Sequence, residues 1–155
     1  GCKRRLTAMA QFEPYLSFDG ECAEAMRFYE KTLAGRIEMQ MTYGEAPPMP
    51  GQPALGSDAA RRIMHASMTV EGHRLMASDM PPGMPHEAMK GITVSLAYAD
   101  VAKGKAIFEA LSVGGTVKMP YQKTFWADGF GMCTDKFGTP WMVNAGDGGG
   151  AKQPE

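Results

Sequence analysis

The feature that most constrains the fold of this 155-residue chain is a weak internal repeat. Leu16-Ser-Phe-Asp-Gly lines up with Leu96-Ala-Tyr-Ala-Asp at an offset of 80. The same offset carries Phe18 onto Tyr98, Phe28 onto Phe108, Gly35 onto Gly115 and Ile37 onto Val117. Further along, an offset of 66 carries Gly72 onto Gly138, Leu75 onto Trp141 and Met76 onto Met142. The drop from 80 to 66 puts 14 extra residues in the first half, within the Pro/Gly-rich stretch from Gly44 to Asp58. Units of this size bury too little surface to be comfortable alone, so the two must pack together.

Each half reads in the same order. Phe12 to Phe18 is a short apolar and aromatic run, a strand broken by Asp19-Gly20. Cys22, Ala25, Met26, Tyr29 and Leu33 then recur with helical spacing as one stripe of an amphipathic helix. Gly35 follows, where a left-handed helix end costs least without a Cβ. Arg36 to Tyr43 reads as a strand, and Arg62 to Val70, Gly72 and Arg74 to Asp79 as a hairpin. In the second half Ile92 to Tyr98 is a strand and Asp100 an N-cap. Ile107, Phe108 and Leu111 mark a helix face stopped by Gly114-Gly115, and Thr116 to Tyr121 is a strand. Gly131 to Asp135, a turn at Phe137-Gly138, and Pro140 to Asn144 close the order, with Asp135 and Gly138 read as turn residues. The expected class is α+β, two paired βαβββ modules (9–83 and 90–145) forming curved sheets around a cavity. The Gly44–Asp58 loop has few residues able to pack and is expected to be mobile. Residues 1–8 are basic without an apolar run and read as a leader or cloning-derived segment, not a secretory signal. Residues 146–155 read as a flexible tail.

Composition narrows the function. A net charge of −1 draws the chain neither to nucleic acid nor to an anionic membrane. No stretch approaches the roughly 20 apolar residues of a membrane span. The three cysteines, Cys2, Cys22 and Cys133, form no CxxC pair, so neither a disulfide framework nor a zinc site is indicated, and a reducing cytoplasm is the expected compartment. Cys133 has no cationic neighbour in sequence to make a thiolate. No G-x-S-x-G elbow occurs. The 14 methionines are read as core filling, with an adaptable pocket wall as the alternative.

Three segments carry a family resemblance: Pro14 to Gly35, Ile63 to Gly83 and Phe130 to Asn144. Together, over roughly Phe12 to Asn144, the chain resembles PhnB-like proteins of the vicinal-oxygen-chelate (glyoxalase/bleomycin-resistance/dioxygenase) superfamily, a family also labelled 3-demethylubiquinone-9 3-methyltransferase. The resemblance implies that superfamily's glyoxalase-like fold and a homodimer. A methyltransferase of the common kind is not supported, because no G-x-G-x-x-G follows a strand.

Metal-using members of the superfamily place one ligand on the first and one on the last strand of each module. Carried over, those positions fall near Pro14, Met76, Val94 (or Ser95) and Met142, none of them a ligand for a hard or borderline divalent ion. The three histidines form no spaced pair, whereas a catalytic metal wants about three protein ligands. No metal and no cofactor are therefore expected, and no catalytic residue is assigned.

The candidate ligand-binding residues are Tyr43, His65, Met76, Asp79, Tyr121, Trp126 and Met142. His65 shares strand parity with Ser67 and Thr69, a polar stripe for a cavity wall or an interface. Asp79 precedes Pro81-Pro82 and is either a cavity-mouth acceptor or turn chemistry. Tyr121, Trp126, Phe130 and Trp141 cluster in sequence, with Trp141 read as core and Trp126 as pocket wall. The leading reading is a metal-independent binding protein for a small hydrophobic or aromatic molecule. One alternative is a metal-dependent lyase, isomerase or dioxygenase with His65, Glu13 and Asp79 as ligands. Another is a dimeric structural or regulatory module with a filled cavity.

Overall fold

The computed structural model describes residues 10–47, 50–51 and 53–146. The leader 1–8, Met9 and all of the tail beyond Gly146 lie outside them. The order is β1 (Tyr15–Phe18), α1 (Cys22–Thr32), β2 (Arg36–Thr42), α2 (Ser57–Arg61), β3 (Ile63–Val70) and β4 (His73–Asp79). Module two continues with β5 (Val94–Tyr98), α3 (Val101–Ser112), β6 (Thr116–Gln122), β7 (Gly129–Thr134) and β8 (Pro140–Ala145). No described helix is long and apolar enough to cross a membrane.

Two four-stranded mixed sheets result, ordered β1-β4-β3-β2 and β5-β8-β7-β6. The sheets do not close on one another, and the fold is α+β, as the repeat predicts. Its register confirms both offsets. Tyr15 pairs Met76 and Phe18 pairs Asp79 in the first sheet, where Ser95 pairs Met142 and Tyr98 pairs Ala145 in the second. The helices break the pattern by one residue. Ala25 and Tyr29 are buried where Gly104 and Phe108 are buried, an offset of 79, so Phe108 takes the place of Tyr29 and not of the half-buried Phe28. A shorter β5–α3 link and one extra residue in α3 account for it.

Gly35 does not take the expected left-handed turn. Ala34 does, at φ 54°. A Cβ on Gly35 would come within 2.8 Å of Val70 Cγ2 and 3.0 Å of Met68 Sδ and Thr69 O. Close approach of the helix exit to β3 is therefore what demands glycine here. In module two the roles fall on a glycine pair: Gly114 turns at φ 75°, and Gly115 lies against Thr134 and Asp135.

Helices α1 and α3 each cover one face of their own sheet. Leu16, Phe18, Ala66, Met68, Leu75 and Ala77 meet α1 as a buried face. At the junction of the modules Tyr29 of α1 lies edge-on to Trp141 of β8, with ring centroids 5.3 Å apart. The Tyr29 hydroxyl donates to Asp135 Oδ2 at 2.6 Å, and Trp141 Nε1 donates to the same oxygen at 2.8 Å. Asp135 Oδ1 accepts from the amides of Phe137 and Thr139, so this buried carboxylate shapes its own turn and ties it to the other module. Burial and the adjacent negative charge push the Tyr29 hydroxyl well above the usual phenol range.

Core filling describes only part of the methionines. Of those described, Met26 and Met68 are fully buried, while Met39, Met41, Met76, Met119, Met132 and Met142 keep solvent exposure. Aliphatic and aromatic side chains dominate the helix-covered faces, and six of the twelve described methionines stand on the uncovered ones.

Candidate functional site

The uncovered face of each sheet is the candidate site. A strand presents alternate residues to opposite faces, so residues directly paired across strands share one. In module one the row is Tyr15, Met76, Ser67 and Met39 across β1, β4, β3 and β2. In module two it is Ser95, Met142, Met132 and Met119 across β5, β8, β7 and β6. The two rows are equivalent by the repeat. In both, a register irregularity between Ile37 and Met39, or Val117 and Met119, turns the methionine to the open face.

In module one His65 stands beside the row, paired with Met41. Its Nδ1 lies 3.0 Å from the Tyr15 hydroxyl, and the two rings are 5.6 Å apart. Tyr15 is 49% exposed, so a phenol and an imidazole are offered together to whatever covers the face. At the rim the Tyr43 hydroxyl donates to the Asp79 carbonyl at 2.8 Å, and burial raises its pKa. In module two Phe130 shares a face with Met132, because the intervening Gly131 abuts Phe108 of α3. Trp126 packs edge-on to Phe130 with centroids 5.2 Å apart, and Phe125 against Trp126 at 4.7 Å.

Two of the seven sequence candidates stand elsewhere. The Asp79 carboxylate is 1% exposed on the helix-covered side and accepts three backbone amides, Gly20 at 2.7 Å, Cys22 at 3.0 Å and Ile63 at 2.8 Å. It caps α1 from a distant strand. Its charge, after burial itself, helps push the Cys22 thiol up to about 12. The Tyr121 ring packs against Phe108, and its hydroxyl donates to the Val101 carbonyl at 2.8 Å, on the side of α3. The aromatic cluster read from sequence thus separates into three: Trp126 with Phe130, Tyr121 with α3, and Trp141 in the junction. His65, Met76 and Tyr43 gather on module one, and Trp126 and Met142 on module two.

Tyr15, Met39, Met119 and Met132 were missed. The offset of 80 that pairs Met39 with Met119 was available in the sequence. The bulge that turns both methionines outward was not. A crevice of about 740 Å³ at the module junction, lined by Phe12, Glu13, Leu33, Arg74, Leu96 and Trp141 among others, contains none of the seven candidates.

Residues 10–144 match the family described as 3-demethylubiquinone-9 3-methyltransferase. The chain belongs to this PhnB-like family. It is 38% identical over 137 residues to Protein YjdN of Escherichia coli K12, covering 84% of this chain and 92% of that one. The crystal structure of PA1353 from Pseudomonas aeruginosa superposes with a TM-score of 0.80 at 43% identity, covering 89% and 98% of the two chains. The PhnB protein of Bacillus cereus gives 0.70 at 20% identity, over 88% and 99%. A glyoxylase/bleomycin resistance protein/dioxygenase domain from Frankia sp. EAN1pec gives 0.59 at 12%, over 89% and 98%, a likeness of fold.

For a PhnB-like chain with a glyoxalase-type fold, the donors on the first and last strands of each module decide whether a divalent ion fits. Register corrects the first position by one residue, with Tyr15 and not Pro14 across from Met76, and of the two positions offered on β5 it is Ser95 that stands across from Met142. A phenol, a hydroxyl and two thioethers do not suit a hard or borderline divalent ion. The alternative set of His65, Glu13 and Asp79 does not converge. Asp79 is taken up by amides on the other side of the sheet, and Glu13 faces Arg74 at 3.7 Å. Among the described residues no group of three or more His, Cys, Asp or Glu could hold a metal ion.

Proposed function

We propose that this PhnB-like protein binds a small hydrophobic or aromatic molecule on its open sheet faces without a divalent metal. The observation that carries the reading is the duplicated row, Tyr15-Met76-Ser67-Met39 and Ser95-Met142-Met132-Met119. Where metal-using members of the fold hold their ion it has a phenol, a hydroxyl and two thioethers, and the rest of the row adds further polarizable, adaptable methionines. Tyr15 and His65 supply the few polar groups that orient a ligand on an apolar wall, and Trp126 supplies a flat surface for stacking. A second copy of the chain is the cover we assign to these faces. Strands β1 and β5 stand at sheet edges, and Phe12 and Ile92, equivalent by the offset of 80, are both largely exposed. The family label names a methyltransferase, but the sheets contain parallel pairs only at β1–β4 and β5–β8, not the doubly wound sheet such an enzyme uses.

A thermal-shift screen of aromatic and apolar compounds in EDTA tests the reading. A ligand at 100 times its Kd stabilises by about 2.7 kcal/mol, readily seen as a rise in Tm. The expected result is stabilisation in EDTA that Tyr15→Phe weakens. Stabilisation that appears only with added divalent ion, or none across the panel, overturns it.

A further inference from the structure

The open face of module two has a property that binding an apolar molecule does not require. Met119, Met132 and Met142 sit directly across from one another on β6, β7 and β8. Neighbouring Cβ atoms in such a row are about 4.5–5.5 Å apart. An unbranched methionine with three rotatable bonds has ample reach to bring its sulfur to a point above the central strand. Leucine would supply the same apolar area. Three thioethers side by side across adjacent strands supply something leucine cannot, a neutral, soft donor set.

We propose that Met119, Met132 and Met142 form a binding site for a soft monovalent cation, Cu(I) or Ag(I). Thioethers favour such ions and discriminate against hard divalent ones, in keeping with the absence of a divalent donor set on the same strands. Neutral ligands leave the ion its charge, and Phe130, two residues before Met132 on β7, carries Trp126 on the same face as a π surface for it. Met119 is 39% exposed in the single chain, which gives an ion access to the site before a second copy covers the face. Module one is an internal control. Its equivalent row holds Met39 and Met76 but places Ser67 between them, so the central sulfur is missing. The only described thiols stand apart from the site: Cys22 is in module one, and Cys133, next to Met132, points to the buried face. The proposal does not depend on the organic ligand proposed above.

The test titrates Ag(I) into the full chain carrying Cys2→Ser, with methyl-labelled methionine followed by NMR. The expected result is saturation near one equivalent, with the methyl signals of Met119, Met132 and Met142 moving together while Met39 and Met76 stay. Met132→Leu preserves volume and should keep the fold. It should weaken Ag(I) by about tenfold or more, since even outer-shell partners of a metal are worth that much. Met119→Leu, on the edge strand, is the second variant should Met132→Leu fail to fold. Ser67→Met should create a second, weaker equivalent in module one. Methionine signals that move indiscriminately, or Leu variants that bind Ag(I) as the parent does, overturn the site. The EDTA ligand screen contains no Ag(I), so failure of one proposal leaves the other readable.

Discussion

The two modules share a register but are held together by different chemistry. In module one the end of β4 carries Asp79, which caps α1 and holds the start of β3 through three amides. In module two the equivalent position is Ala145. Helix α3 is instead capped locally, by Asp100 accepting from the Lys103 amide at 3.1 Å. The contact is made by Gly104, where a Cβ would come within 2.9 Å of both Ala145 Cβ and the Tyr121 hydroxyl. A buried charge with its amides satisfied and a close glycine contact thus do the same mechanical job. The lesson is that a repeat conserves geometry, not interactions.

The largest expected break of this comparison is Asp79→Ala. It strands the two buried amides of Cys22 and Ile63, each costing about 1–3 kcal/mol, and frees the part-buried amide of Gly20 to solvent, so a loss of about 2–5 kcal/mol in urea denaturation is expected. A loss below about 1 kcal/mol would mean that the carboxylate is not the clamp. Gly104→Ala attacks the other solution. Overpacking costs about 1–3 kcal/mol, and the gain in helix propensity returns up to about 1, so a net loss near 1 kcal/mol is expected. The equivalent Ala25 already carries its Cβ in full burial, so the cost belongs to module two alone.

At the junction, alkali should act on Tyr29. Its folded pKa lies above the unfolded value of 10.0, chiefly through burial and then through Asp135. Protonated Tyr29 is favoured in the fold, so its contribution is intact below pH 10 and is lost as pH rises further. Stability should then fall with a slope approaching about 1.4 kcal/mol per pH unit for this group. Tyr29→Phe should flatten that fall in denaturation curves taken across the range, and an unchanged slope would assign it to other tyrosines. The smallest structural effect is expected of Tyr15→Phe. With Tyr15 half-exposed, stability should shift by less than about 0.5 kcal/mol, while ligand-dependent stabilisation falls.

Much of this organisation was legible in the sequence because patterning and spacing express it. The offsets of 80 and 66 fixed the strand register, and the stripe from Cys22 to Leu33 marked the buried helix face. Asp100 is legible as an N-cap because its partner is local. Asp79 is not, because the helix that it caps lies 57 residues away in sequence from its carboxylate. The bulges before Met39 and Met119 leave no residue signature, and they reverse which side chains face outward. Gly35 reads as a turn that Ala34 in fact makes, since close packing and left-handed backbone both select glycine.

Elemental analysis of protein purified without chelator or affinity tag tests the central claim most directly, that the open faces work without a divalent ion. The account predicts less than about a tenth of an equivalent of zinc, iron, manganese or nickel per chain, since a protein site needs about three competent ligands. A near-stoichiometric divalent metal that disappears in His65→Ala would contradict it.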